Sequence, residues 1–217
     1  MSDPTPTPQA SSELAPRSAS GKRRGPLITT FPVVLDACVL ANSTIRDFVL
    51  YAAYLALYRP LWTDEILNDL RATLDRFGIR AERIEYIVGQ MMNAFPDACV
   101  DSYQSLASNL ATDTRDRGII AAAIVGKAQL LVTENTHRFP TKALSRFHIE
   151  ATNADDFLRD LLDIDPERMI EVLSTITDSR KMPRHTVEEL LQAVESNGCI
   201  GFASDMRAAL EKYYGDS

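Results

Sequence analysis

A short apolar run that contains a single carboxylate, residues 31–40, constrains the fold of this chain more than any other stretch. Its β-branched and aliphatic residues are typical of a strand that is buried on both faces of a parallel sheet. Asp36 falls near the carboxyl end of this predicted strand, which is where ligands bind in open α/β sheets. A buried carboxylate is costly unless it is paired or holds a metal. Asp36 is therefore either a metal-ligating or nucleophilic group, or a cap for the loop or helix that follows.

The composition allows one domain of good size. The chain has 217 residues, of which 45% are hydrophobic, and a formal net charge of -7. That charge argues against bulk electrostatic binding of nucleic acid, but not against an acidic site that reaches phosphates through metal ions. The three widely spaced cysteines fit neither a zinc site nor a disulfide framework. With no signal-like apolar start and no run near the roughly 20 residues of a membrane span, we expect a cytoplasmic protein.

Composition divides the chain into three parts. Residues 1–27 are rich in Ser, Thr, Pro and Ala and are predicted to form a disordered tail. Residues 28–152 alternate predicted strands and helices, which favours an α/β fold: a three-layer α/β/α sandwich around a central parallel sheet. Residues 153–217 read as a helical C-terminal extension. This extension carries no polar constellation, so we expect it to act as a lid, a dimer surface or a groove for a partner.

Capping residues mark the starts of several predicted helices. Asn42 precedes a helix predicted at 45–57, and Thr63 precedes another whose first turn holds Glu65. In the extension, Asn153 is a predicted N-cap, and Thr186 with the glutamate three residues later forms a predicted capping box. Further parallel strands are predicted at 60–62, 129–133 and 147–150.

Polar residues gather where the predicted strands end and the predicted helices begin. Open α/β topology brings these ends to one edge of the sheet. Carboxylates without His or Cys form a hard-oxygen site that suits Mg²⁺ or Mn²⁺, and such an ion can generate a hydroxide and stabilise charge in phosphodiester hydrolysis. Each carboxylate also has a plain alternative as a helix cap or a partner of the helix dipole. The positions are Asp36, Glu65, Asp113 or Asp116, and Asn135.

Five short motifs, taken in order and spacing, resemble a PIN domain. No one of them is as specific as a P-loop, but their order is informative. The closest branch is the VapC-like toxin group with a helical C-terminal extension, and the resemblance spans residues 33–213. The motifs are VLDACVL at 34–40, Arg46-Asp47, WTDEIL at 62–67, DRGIIAAA at 116–123 and LVTENTHRFP at 131–140.

The resemblance implies a Mg²⁺-dependent endoribonuclease, with Mn²⁺ as a substitute, on a PIN-like sandwich. It implies that Asp36, Glu65 and Asp116 are catalytic acids that hold the metal. It also implies that the protein is the toxin of a type II toxin–antitoxin pair of the VapBC kind. Its partners would be an RNA substrate and an antitoxin that is itself a small DNA-binding protein, while a homodimer remains open.

The resemblance also assigns supporting roles and shows departures from the family pattern. Asp113 would assist the acids, and Thr133 would orient them through its hydroxyl. Asn135 joins the catalytic set where many PIN domains have a fourth Asp. Being neutral, it lowers the negative charge of the site by one and weakens the case for a second metal. Gly118 stands where the family often has a His.

Two alternatives remain at this stage. A PIN-fold module that binds RNA or a partner without cleaving would fit the neutral Asn135. A phosphatase of the haloacid dehalogenase type would need a second Asp two residues after Asp36, where Cys38 stands instead. For the nuclease reading, repulsion among clustered carboxylates predicts that Asp116→Asn stabilises the metal-free protein while it abolishes cleavage.

Overall fold

The computed structural model describes residues 30–110, 114–179 and 186–215. Its centre is a sheet of parallel strands that pair in the order β2-β1-β3-β4. The strands are β1 at Pro32–Leu35, β2 at Arg59–Leu61, β3 at Leu130–Val132 and β4 at Glu150–Thr152. In this part of the chain no helix has both the length and the apolar character needed to cross a membrane.

Helices connect the strands, cover the sheet and make up the C-terminal region. This arrangement confirms the predicted α/β/α sandwich with a parallel sheet and a helical extension. Two 3₁₀ turns, Thr136–Arg138 and Ser145–Phe147, lie between β3 and β4. The helices are α1 Ala37–Ala41, α2 Ser43–Tyr54, α3 Asp64–Arg76, α4 Ala81–Ala94, α5 Gln104–Ala107, α6 Thr114–Val125, α7 Thr141–Leu144, α8 Ala154–Ile164, α9 Pro166–Ser179, α10 Val187–Ser196 and α11 Ile200–Gly215.

The structure corrects the prediction for the first apolar run, because only the first half of this run forms a strand. Asp36 donates its backbone N–H to the Val132 carbonyl at 3.0 Å, and the chain then turns into α1. The Asp36 side chain starts this helix by accepting the N–H of Ala37 at 2.7 Å. Val39 and Leu40 are therefore buried as part of α1 and not as part of the sheet. An apolar run of this length has the same pattern in a buried strand and in a short buried helix.

The predicted caps are confirmed. The Asn42 side chain accepts the N–H groups of Thr44 and Ile45 at 3.1 and 3.2 Å. Thr63, Asn153 and Thr186 likewise accept N–H groups in the first turns of α3, α8 and α10, and the capping box at α10 is complete. Since each satisfies backbone donors that a helix leaves unpaired, these residues fix where the helices begin.

Two predicted boundaries move for backbone reasons. The helix predicted at 45–57 ends at Tyr54, and Ala56 takes a left-handed conformation with φ 60°. The strand predicted at 147–150 lies instead at Glu150–Thr152, because His148 is also left-handed, with φ 56°, and no extended backbone can include it. The strand predicted at 60–62 is shifted by one residue, to Arg59–Leu61.

The C-terminal helices share one hydrophobic core with the sandwich. Phe157 of α8 meets Tyr58 edge to face at 5.0 Å between ring centroids, and Phe202 of α11 meets Phe48 of α2 at 5.3 Å. Each such pair stabilises the contact by about 0.5–1.5 kcal/mol beyond the burial of its area. Helix α2 is buried from Thr44 to Ala53 between the sheet and the extension, which explains why most of its residues are apolar; its two charged residues, Arg46 and Asp47, are buried as well.

Candidate active site

Asp36 lies where β1 ends, and its carboxylate is held from several directions. Oδ1 accepts the N–H of Ala37, and Oδ2 accepts the hydroxyl of Thr133 at 2.6 Å and the thiol of Cys38 at 3.2 Å. The residue is 8% exposed. These donors come from the first turn of α1 and from the end of β3, so the carboxylate keeps one orientation at the edge of the sheet.

Thr133 links two adjacent strand ends. It is fully buried directly after β3, and its backbone N–H donates to the Thr152 carbonyl at 2.9 Å. Its hydroxyl donates to Asp36 and accepts the N–H of Asn135 at 3.1 Å. The geometry suits the orienting role expected of Thr133, which stays a prediction.

Cys38 was not predicted as part of this edge. Its sulfur lies 3.5 Å from the Thr133 hydroxyl and accepts the N–H of Glu134 at 3.4 Å, besides donating to Asp36. Burial, together with the negative charge of Asp36, raises the pKa of the Cys38 thiol to about 11. Cys38 is therefore a neutral donor at physiological pH and not a nucleophile. The sequence signal that could have indicated this contact was the position of Cys38, two residues after Asp36.

Glu65 reaches the same edge from the first turn of α3. It is exposed, and its Oε2 lies only 2.5 Å from where a Cβ on Gly118 would stand, so α6 passes close to it. The buried Tyr103 lies beside Glu65 and Thr63. Burial, and secondarily the charge of Glu65, raises the pKa of the Tyr103 phenol, which therefore stays neutral. The sequence did not indicate Tyr103 as a neighbour of Glu65.

Asp116 lies in the first turn of α6 and is 5% exposed. Its Oδ1 accepts from Nη2 of Arg138, which follows β3 in the first 3₁₀ turn. The Arg138 guanidinium also lies over the Phe139 ring, 5.9 Å from its centroid. A basic residue shortly after a strand was the only sequence sign of this ion pair.

The remaining predicted site residues are placed less tightly. Asn135 is half-buried, and its backbone carbonyl accepts the backbone N–H of Arg138 at 3.0 Å. Asp113 lies outside the described residues.

The predicted acids therefore lie at one edge of the sheet, but their side chains are not arranged as a set of metal ligands. Asp36 follows β1, Glu65 begins the helix after β2, and Asp116 begins the helix before β3. Over residues 30–110, 114–179 and 186–215, no three His, Cys, Asp or Glu side chains converge closely enough to hold an ion. The assignment of these three acids as metal ligands stays a prediction.

Family comparisons agree with this architecture. Residues 32–137 match the family model described as "PIN domain". Residues 32–137 are therefore a PIN domain, as the sequence motifs predicted. Residues 154–208 match the VapC50 C-terminal domain, which supports the predicted VapC-like branch with a helical C-terminal extension.

One curated relative is similar over part of the chain. The protein named "Putative ribonuclease VapC50", from Mycobacterium tuberculosis (strain ATCC 25618 / H37Rv), is 33% identical over 102 residues. The match covers 47% of this chain and 60% of that protein, so it spans about three fifths of the relative's length. No solved structure matches the chain.

Proposed function

We propose that this protein is a Mg²⁺-dependent endoribonuclease and the toxin of a type II toxin–antitoxin pair. The observation that carries the proposal is the carboxylate of Asp36, fixed by Thr133 at the carboxyl edge of a PIN-domain sheet. The name of the similar ribonuclease supports the same reaction class. The three cysteines are unbridged, which suits action in a reducing cytoplasm.

The donor set fits a hard divalent cation. Every predicted ligand is a carboxylate oxygen, the type that Mg²⁺ and Mn²⁺ prefer. Asp36, Glu65 and Asp116 would hold the ion. An ionised carboxylate offers about four lone-pair sites. Ala37, Thr133 and Cys38 occupy three of those on Asp36, which leaves about one for the ion. The Asp116 carboxylate attracts cations, since it is already paired with the Arg138 guanidinium.

The residues around the acids prepare the site for hydrolysis. Thr133 and Cys38 orient Asp36, and Glu65 lies beside Tyr103 at the mouth of the site, where its carboxylate is exposed. When bound, the divalent ion supplies an activated water and stabilises the charge that develops on the phosphate. The buried base of the edge around Thr133 keeps bulk water away from the back of Asp36.

A non-cleaving PIN-fold module is the second candidate. Two observations favour it: the acids do not converge among the described residues, and Arg138 already neutralises Asp116. In that case the edge would bind RNA or a protein partner without chemistry.

Removal of metal separates the two functions. We expect the purified protein to cleave RNA in Mg²⁺ and in Mn²⁺ and to lose all cleavage in excess chelator, because the acids alone cannot activate water. The assay follows a labelled RNA on denaturing gels, with circular dichroism as a check that chelation leaves the fold intact. RNA that is retained on a filter but never cut would favour the binding module. Cutting that persists in chelator would contradict a metal mechanism.

The partner is proposed to be a small DNA-binding antitoxin encoded beside this chain, as is usual in the VapC-like branch that the motifs resemble. Co-expression of the neighbouring small protein should relieve growth inhibition and suppress RNA cleavage by the purified pair. Equal cleavage with and without every co-encoded neighbour would count against the toxin assignment while leaving the nuclease assignment intact.

The close approach of Gly118 to Glu65 provides a test of the second acid. We expect Gly118→Ala to lower cleavage by about 10- to 100-fold, because a methyl group at 2.5 Å pushes the Glu65 carboxylate aside. The free energy of unfolding should not fall, since alanine favours a helix interior by up to about 1 kcal/mol and only an exposed, flexible carboxylate must move.

Gly89 of α4 offers a matched control. It is also a glycine inside a helix, and a methyl group there would meet nothing within 4 Å. Gly89→Ala should give the same gain in helix stability with unchanged cleavage. Full activity in Gly118→Ala would mean that Glu65 does not act from the position it occupies.

A further inference from the structure

We propose that Arg138 is a built-in competitor of the divalent ion: its guanidinium neutralises Asp116 in the metal-free protein and so lowers the affinity of that carboxylate for the ion. The inference rests on the proposed function of the same site and assigns to it a residue that controls metal affinity.

The ion pair is the first observation. The side chain of Asp116 is 7% exposed, so its charge depends on a close cation or on strong donors. Arg138 supplies that cation through Nη2. Within the part of the chain that the structure describes, no ion pair joins Asp36 or Glu65 to a basic side chain, so Asp116 is the predicted ligand that a guanidinium occupies.

The two partners differ in freedom of movement. Asp116 is fixed on the first turn of α6 against the core, whereas the Arg138 side chain is 35% exposed and extends from a short 3₁₀ turn. The Phe139 ring, which the paired guanidinium already contacts, follows Arg138 directly in the chain, so this contact does not tie Arg138 to α6. Arg138 is therefore the partner that has room to move away from Asp116.

Like charge turns this pair into a competition. The guanidinium and a divalent ion both place positive charge against the Asp116 carboxylate, so the ion binds more weakly while the pair is closed. The apparent dissociation constant therefore falls as the fraction of molecules with an open pair rises. Removal of the positive charge at position 138 should consequently tighten metal binding.

Mn²⁺ titration in the absence of RNA tests this directly. We expect Arg138→Gln to bind Mn²⁺ on the order of tenfold more tightly than the natural chain by isothermal calorimetry, since glutamine keeps much of the length and removes the charge. Arg138→Lys should fall between the two, because lysine keeps the charge but loses the planar fork. Circular dichroism and a melting curve establish that each variant is folded.

Arg146 is the matched control. It too is exposed, lies in a 3₁₀ turn and has its guanidinium over the following phenylalanine, 4.6 Å from the Phe147 centroid. Arg146→Gln makes the same change in net charge, so an effect of net charge alone would appear in both variants. The inference requires Mn²⁺ affinity to change at position 138 and not at 146.

The outcomes distinguish this inference from the proposed function. Unchanged or weaker Mn²⁺ binding in a folded Arg138→Gln variant would overturn the competitor role, as would an equal gain in Arg146→Gln. If the natural chain binds Mn²⁺, loses it on Asp116→Asn and is indifferent to Arg138→Gln, the nuclease proposal stands and the competitor role fails. If neither the natural chain nor Arg138→Gln binds Mn²⁺, both fail.

Discussion

Asp36→Asn is expected to lower Mg²⁺-dependent RNA cleavage by about 10³-fold or more while the protein stays folded. The substitution removes the negative charge that faces the proposed ion. The amide can still accept the N–H of Ala37 and can donate to the Thr133 hydroxyl, which is able to accept in turn. Asparagine is also a good helix N-cap, so we expect the free energy of unfolding to fall by about 1 kcal/mol or less.

Single-turnover cleavage of a labelled RNA, alongside urea unfolding, measures both effects. Asp69→Asn is the matched control, because it makes the same chemical change on the exposed face of α3. It should cleave like the natural chain. Substantial cleavage by a folded Asp36→Asn variant would remove Asp36 from the reaction and, with it, the main support for the nuclease proposal.

Asp116→Asn is expected to abolish cleavage to a similar extent, but to lower stability in chelator as well. Neutralising Asp116 leaves the partly buried Arg138 guanidinium without its carboxylate. Since that side chain is about one third exposed, the loss is discounted to about 1–2 kcal/mol. This sign is the reverse of the stabilisation that carboxylate repulsion alone predicts, because the ion pair already relieves the repulsion at Asp116.

Melting curves in chelator test the sign. The matched control is Asp205→Asn, which breaks the ion pair between Asp205 and Arg159. Both of these side chains are 44% exposed. An exposed pair contributes about 0–1 kcal/mol, so this variant should melt close to the natural protein. A higher melting temperature for Asp116→Asn would show that repulsion among the acids outweighs the Arg138 pair. A double substitution with Arg138→Gln would then measure the coupling directly.

Local patterns in the sequence were sufficient for much of the fold. Apolar strands alternating with helices predicted the parallel sheet, and the capping residues Asn42, Thr63, Asn153 and Thr186 marked true helix starts. These signals depend on neighbours within one or two turns, and so they can be read from the chain directly. The prediction was wrong over residues 37–40, where an apolar run forms α1 instead of extending β1.

The sequence by itself determined the fold class, the family and the acids expected at one edge of the sheet. Only the tertiary structure decided what each acid contacts: Thr133 joins Asp36 across 97 positions, and Arg138 joins Asp116 across 22. Periodicity and capping report contacts between residues that are close along the chain. Pairings over longer separations depend on how strands and helices are packed, which no local pattern encodes.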